Sequence, residues 1–259
     1  MFFGAFTVFL LAGWPNRDTV EIVSALVFPL LGLLYVPLAV LAALSARGRL
    51  RAAWLTFAIG LSTWALGDVV SGYYAVILGR EPFPSWADAG YLAYIPIVVT
   101  ALVLFPSTRS WRDQGRMVLD GLILAGSIFV IAWLAVMRTA WHSGGTSGPA
   151  FAISLAYPAG DVLIVTVCIL VLLRVPPGLR FPLILLLAGL VAATVADSVW
   201  AYLWNSAGHA VGSLPNILYA ASVILIIVAL VAAQHAEPGP ATAARPPGLF
   251  ALWLPLVPL

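Results

Sequence analysis

The chain has no lysine, a single cysteine and few charged residues of any kind. Charged residues make up 8% of its 259 residues, against about 25% in an average soluble domain. So few charges cannot solvate the surface of a soluble enzyme, and the composition also excludes a disordered chain and a nucleic-acid-binding protein. The lone Cys168 excludes a disulfide framework and a multi-cysteine metal site.

The sequence consists mainly of long apolar runs, with 63% hydrophobic residues and a mean hydropathy of +1.06. A helix needs about 20 apolar residues to cross a bilayer. The runs therefore predict an all-α, polytopic helical membrane protein with about eight transmembrane helices. The predicted spans are 2–14, 21–45, 52–78, 88–106, 118–137, 150–173, 181–205 and 214–234. A further apolar run at 248–259 is expected to begin a partial ninth segment.

The arginines alternate between the two sides of these predicted spans. Nine lie in loops that share one side, and three, Arg17, Arg80 and Arg138, lie on the other. Loops rich in positive charge stay in the cytoplasm. The pattern predicts a multi-pass protein of the bacterial plasma membrane with a cytoplasmic N-terminus.

The two halves of the sequence resemble each other at a shift of 129 residues, the separation of Asp68 from Asp197. Tyr73 then falls on Tyr202, and a one-residue deletion brings Asp88 and Tyr91 onto Asn216 and Tyr219. Such residues are scarce here, so their coincidence indicates a duplication. The predicted organisation is two parallel four-helix repeats at 1–106 and 118–234, a cytoplasmic loop at 107–117, a cytoplasmic linker at 235–247 and the apolar segment 248–259.

Carboxylates inside predicted spans are the strongest functional signal, because burying them in a bilayer is costly. Asp68, Asp161 and Asp197 all fall in the middle to outer half of their spans. They either hydrogen-bond neighbouring helices and fix their packing, or line a polar cavity that binds a ligand, proton or ion. The candidate cavity residues are Asp68, Tyr73, Asp88, Tyr91, Asp161, Asp197, Tyr202, Asn216 and Tyr219.

No cofactor or metal is expected. His142, His209 and His235 are not at ligand spacing. The glycines of 142–149 are not followed by lysine, so they do not indicate a phosphate-binding loop.

Two segments carry a resemblance to a known family. Residues 64–94 read WALGDVVSGYYAVILGREPFPSWADAGYLAY, and residues 155–164 read LAYPAGDVLI. The pattern resembles the multi-span N-terminal membrane region of bacterial, mainly actinobacterial, cyclic-di-GMP signalling proteins, where that region precedes cytoplasmic GGDEF and EAL domains. The resemblance implies a sensory or anchoring role. It also implies a GGDEF/EAL-type output domain or a second copy of the chain as partner, with an extracytoplasmic ligand as the signal.

The chain contains no GGDEF or EAL motif, so we expect no cyclase or phosphodiesterase activity from it. Three hypotheses follow: a sensory or anchoring module in the lipid bilayer, a small-solute or ion transporter built from duplicated units, and an intramembrane hydrolase using carboxylates as general acid and base. The positions of the three buried carboxylates relative to one another discriminate between them.

Overall fold

A computed structural model of the chain describes residues 17–80, 82–107, 148–206 and 213–236, together with Gly121, Ile123, Gly126, Ser127 and Val130. These residues form six long helices, and no strand occurs among them. The helices are α1 (Arg17–Ser45), α2 (Gly48–Val76), α3 (Trp86–Leu104), α4 (Pro149–Leu172), α5 (Pro177–Ser206) and α6 (Ser213–Gln234).

The helix bounds agree with six of the predicted spans to within a few residues. Five of the described helices contain segments long and apolar enough to cross a membrane, and α4 contains a shorter apolar segment, Ala156–Leu172. This all-helical, apolar architecture is that of a multi-pass membrane protein. The predicted spans 2–14 and 248–259 lie outside the described residues, as does most of 118–137, so the count of eight stays a prediction.

Local sequence signals determine where several helices begin. The Ser85 side chain accepts a hydrogen bond from the Ala87 amide at 3.2 Å, while Asp88 Oδ2 accepts one from the Ser85 amide at 2.6 Å. This reciprocal capping box fixes the start of α3. Helices α4 and α5 each begin at a proline, which is favoured in the first helical turn because that turn needs no amide donor there.

The six helices pack in chain order, each against the next, and α6 closes the circuit by packing against α1. We call α1–α3 the first half and α4–α6 the second half. The halves meet at two interfaces, α3 with α4 and α6 with α1. Each interface joins the last helix of one half to the first helix of the other.

The outward surface of these helices is apolar. Leu33 is 70% exposed and Leu66 is 63% exposed. Large apolar side chains that are exposed on a helical bundle this poor in charge suit contact with lipid tails. The interior is close-packed instead, with Trp54 in edge-to-face contact with Phe105 at 5.1 Å between ring centroids.

Glycines allow the second and third helices of each half to approach closely. A Cβ atom at Gly60 would lie 2.8 Å from Cγ2 of Val98, and one at Gly189 would lie 3.0 Å from Cγ1 of Ile226. Small residues at helix interfaces are how membrane helices gain packing contact. The two glycines correspond at the 129-residue shift, and their two partners correspond after the one-residue deletion.

Candidate interhelical carboxyl–tyrosine site

Asp68 binds a tyrosine of the neighbouring helix. The Tyr91 hydroxyl on α3 donates a hydrogen bond to Asp68 Oδ1 on α2 at 2.9 Å. Gly67 makes this contact feasible, because a Cβ atom there would lie 2.6 Å from Cε1 of the Tyr91 ring. The ring also packs on Trp64, with 5.0 Å between centroids. Asp68 and Tyr91, which belong to one sequence motif, thus join α2 to α3 through a single contact.

The second half contains the corresponding contact. The Tyr219 hydroxyl on α6 donates to Asp197 Oδ1 on α5 at 2.5 Å. Asp197 and Tyr219 are the residues that the sequence comparison aligned with Asp68 and Tyr91. Both halves thus join their second and third helices through the same pair of residue types at the same register.

Asp88 joins the two halves at the interface of α3 with α4. The Tyr157 hydroxyl donates to Asp88 Oδ1 at 2.5 Å, and the Ser85 hydroxyl lies 3.2 Å from Asp88 Oδ2. Asp88 is buried, with 6% of its surface exposed. One carboxylate therefore caps α3 and binds α4 at the same time, using different oxygen atoms.

Asp161 and Asp197 form a pair of carboxyl groups across the interface of α4 with α5. Their side chains lie within hydrogen-bonding range of each other, and Asp161 Oδ2 is buried without a hydrogen-bond partner among the described residues. A hydrogen bond between two carboxyl groups would require a proton on one of them. Both groups lie within electrostatic range of Tyr94 on α3, which is itself buried.

These contacts meet in the interior of the bundle. Tyr219 interacts electrostatically with Tyr91 across the circuit, and Tyr157 interacts with both Asp161 and Asp197. These described aspartates and tyrosines thus form one cluster that touches helices α2 to α6. The cluster reaches α1 through the Tyr219 ring, which packs edge-to-face on Phe28 at 6.1 Å.

The remaining candidate residues lie elsewhere or beyond what is described. Tyr73 is 53% exposed and its ring neighbour is Tyr74 at 6.2 Å. Asn216 is half-buried in the first turn of α6. Tyr202 belongs to α5, and its side chain lies outside the described part of the chain.

Sequence reasoning omitted Ser85, Tyr94 and Tyr157 from the candidate set. The Ser-x-x-Asp spacing of a capping box could have identified Ser85. Tyr157 lies one turn before Asp161, and residues at that spacing share a face of a helix. Its partner Asp88 is 69 residues away in the chain, and no local pattern indicates that pairing.

A cavity of about 330 Å³ lies at the other end of the bundle, where the α1–α2 turn meets the ends of α3 and α6. Arg47 and Arg49 line it, together with Ser45, Ala46, Leu50, Pro106, Ala233 and Ala236. Burial and the nearby Arg49 lower the pKa of the Arg174 guanidinium close to this end. Arg47 and Arg49 lie between the predicted spans 21–45 and 52–78, on the side that the charge pattern predicts to be cytoplasmic.

No group of three or more potential metal-ligating side chains occurs among the described residues. Comparison of the chain with protein-family models, with curated proteins and with solved structures gave no match. The resemblance to cyclic-di-GMP signalling proteins therefore stays a prediction, and functional inference rests on the carboxyl–tyrosine geometry.

Proposed function

We propose that the chain is a membrane-embedded sensory or anchoring module of a bacterial signalling protein. The main support is that Asp68, Asp88 and Asp197 each accept a hydrogen bond from a tyrosine of a neighbouring helix. Asp161 of α4 faces Asp197 of α5 in addition. Such bonds fix helix packing. They also make the packing responsive, because a ligand or proton that alters one bond alters the contact between two helices.

The proposal includes the predicted duplication. Three features of the first half recur in the second half at corresponding positions: the Asp–Tyr hydrogen bond, the glycine contact between the second and third helices, and the chain-order packing of the helices. A parallel repeat with two internal interfaces allows the halves to shift relative to each other as units. Relative motion of packed units is a common way of passing a signal through a protein.

The residues that carry the family resemblance support the sensory assignment. Asp68, Ser85, Asp88 and Tyr91 belong to the first motif, and Asp161 belongs to the second. All five take part in the hydrogen bonds described above. We propose that a GGDEF/EAL-type output domain, or a second copy of the chain, receives the resulting change at the cytoplasmic ends of the helices.

The test places a fluorescent reporter in the cavity at the end of the bundle. Cys168 is 0% exposed, so the Cys168→Ala variant supplies a cysteine-free background with minimal surface change. A bimane label is attached at Ala236→Cys, and the protein is reconstituted in lipid nanodiscs. We expect the emission to respond to pH or candidate solutes on the outer side, and this response to be lost in Asp197→Asn.

Tyr73→Phe is the matched control, because it removes a hydroxyl from a half-exposed tyrosine outside the cluster. It should leave the reporter response intact. A label that never responds, or one that responds equally in Asp197→Asn, would contradict the sensory role.

The transporter hypothesis is retained as a second candidate because of one observation, the Asp161–Asp197 pair. Mid-membrane carboxyl pairs are the groups that proton-coupled transporters use. Purified protein in liposomes with an entrapped pH dye discriminates the two functions. Solute-dependent proton flux that disappears in Asp161→Asn would favour transport. A protein that shows no proton flux but whose bimane emission responds would favour sensing.

A further inference from the structure

The second half contains a carboxyl pair that the first half lacks. At the 129-residue shift, Asp161 corresponds to Gly32, while Asp197 corresponds to Asp68. A Cβ atom at Gly32 would lie 2.9 Å from the Cβ atom of Ala65, so the first half has no room for a second carboxyl group there. The Asp–Tyr contact is common to both halves, whereas the additional carboxyl group, that of Asp161, belongs to the second half.

We propose that Asp161 and Asp197 form a proton-binding site that holds one proton between the two carboxyl groups. This inference rests on the proposed sensory function and names its ligand as the proton. The geometry carries it, because two facing carboxylates without a proton would place two negative charges in contact inside an apolar bundle.

The hydrogen bonds around the pair indicate which group carries the proton. Tyr219 donates to Asp197 Oδ1, and a donated hydrogen bond favours the charged form of a carboxyl group. Asp161 Oδ2 is buried and receives no hydrogen bond from the described residues. A proton on Asp161 removes the uncompensated charge and supplies the donor for the bond to Asp197.

The surrounding groups suit a proton better than a metal ion. The Tyr219 hydroxyl donates toward the pair, whereas a metal requires oxygen lone pairs directed at it. The described titratable groups within electrostatic range of the pair are Tyr94 of α3, Tyr157 of α4 and Tyr219 of α6, with Asp88 bonded to Tyr157 and Cys168 near Tyr94. No described cationic side chain is among them.

Infrared spectroscopy of the protein in nanodiscs tests the site directly. A protonated carboxyl group has a carbonyl stretch that is distinct from carboxylate bands and shifts in deuterated water. We expect such a band at neutral pH in the wild-type protein and its conversion to carboxylate bands at alkaline pH. This titration needs no variant, so it stands even where a substitution impairs folding.

Two substitutions assign the band. Asp161→Asn should remove it, while Asp68→Asn, the matched change in the first half, should leave the Asp161-dependent band in place. A wild-type protein without a protonated carboxyl band, or a band that persists unchanged in Asp161→Asn, would overturn the proposal. Carboxylate bands that respond to Na⁺ and not to pH would also overturn it, by indicating a bound metal cation.

The reporter at position 236 separates this inference from the function on which it rests. A titrating Asp161 band with a reporter that never responds would preserve the proton site and contradict the sensory role. A reporter that responds to a solute while the Asp161 band is absent would preserve the sensory role and contradict the proton site. If both proposals hold, the reporter and the band should change over the same pH range.

Discussion

The two halves of the bundle share their packing and differ in their polar chemistry. Each joins its second and third helices through one Asp–Tyr hydrogen bond and one closely packed glycine. Only the second half adds a carboxyl group, Asp161, beside its shared aspartate. The corresponding glycine, Gly32, leaves Asp68 with Tyr91 as its described side-chain donor. The halves thus share the Asp–Tyr and glycine contacts and differ in one carboxyl group.

The two interfaces between the halves differ in the same way. At α3 with α4, Tyr157 donates to the buried Asp88. At α6 with α1, the position corresponding to Tyr157 is Phe28, whose ring packs on Tyr219 without a hydroxyl to donate. At these corresponding positions, one interface thus has a directional hydrogen bond and the other an aromatic contact.

The largest effects should come from the glycines shared by the halves. Gly60→Leu and Gly189→Leu insert side chains where a Cβ atom already meets Val98 or Ile226. Overpacking of this kind costs about 1–3 kcal/mol or more. Thermal unfolding in detergent should show comparable losses for the two variants. Gly126→Leu is the control, since no described residue outside its own stretch of helix lies within 4 Å of its Cβ position. Strongly unequal losses in Gly60→Leu and Gly189→Leu would contradict the correspondence of the halves.

Removal of the shared hydroxyl groups should have a smaller effect and should distinguish the halves. Tyr91→Phe deletes the interactions of this hydroxyl with Asp68 and Ser71 of α2, and Tyr219→Phe deletes the bond to Asp197. One interhelical hydrogen bond within a membrane is worth about 0.6 kcal/mol on average and up to about 1.7 kcal/mol. We expect the larger loss from Tyr91→Phe, because it removes two interactions and because Asp197 keeps Asp161 as a partner. Equilibrium unfolding measures both, with Tyr73→Phe as the unaffected reference. A larger loss in Tyr219→Phe would contradict a protonated Asp161 acting as donor.

The interface between α3 and α4 provides an intermediate test of the bundle. Tyr157→Phe makes this position match Phe28 and leaves a buried carboxylate with one fewer donor. We expect a destabilisation of about 1 kcal/mol, measured by equilibrium unfolding. Phe28→Tyr is the reciprocal change. Stability unaltered by Tyr157→Phe would mean that the Asp88 capping bonds alone hold α3 in place.

The smallest effect, and one of opposite sign, is expected from Tyr35→Phe. The Tyr35 hydroxyl is buried without a hydrogen-bond partner among the described residues. Deleting a buried hydroxyl without a partner removes its desolvation penalty, and we expect a gain below the ~1 kcal/mol of a typical hydrogen bond because the hydroxyl relaxes. Unfolding measurements should show a slight gain. A loss would reveal that this hydroxyl serves Asp68, which lies within its electrostatic range.

The sequence was sufficient to predict the six helices that the structure describes. Long apolar runs determine where membrane helices lie, so six spans were predicted close to their observed bounds. Scarce residues such as Asp68 and Asp197 indicated corresponding positions in the halves. Asp68 and Asp197, for which a hydrogen bond to a neighbouring helix was one interpretation, accept such bonds from Tyr91 and Tyr219.

The pairings themselves could not be predicted. Tyr157 and Asp161 lie one turn apart, yet Tyr157 binds α3 and Asp161 binds α5, because their helix lies between these two neighbours. Helical periodicity places residues on a face but does not say which helix that face meets. Tyr73 illustrates the same limit, since its match to Tyr202 gave no information on exposure.

The contact between Tyr219 and Asp197 lies near the start of α6. A small change in helix tilt at this contact therefore produces a larger displacement at the other end of α6. Tyr219 and Gln234 are separated by about 22 Å along the helix at 1.5 Å per residue. A tilt of about 5° at Tyr219 would therefore move the far end of α6 by about 2 Å. That end borders the cavity lined by Arg47 and Arg49. A rearrangement too small to open a path through the bundle could thus reshape a charged surface at its opposite end.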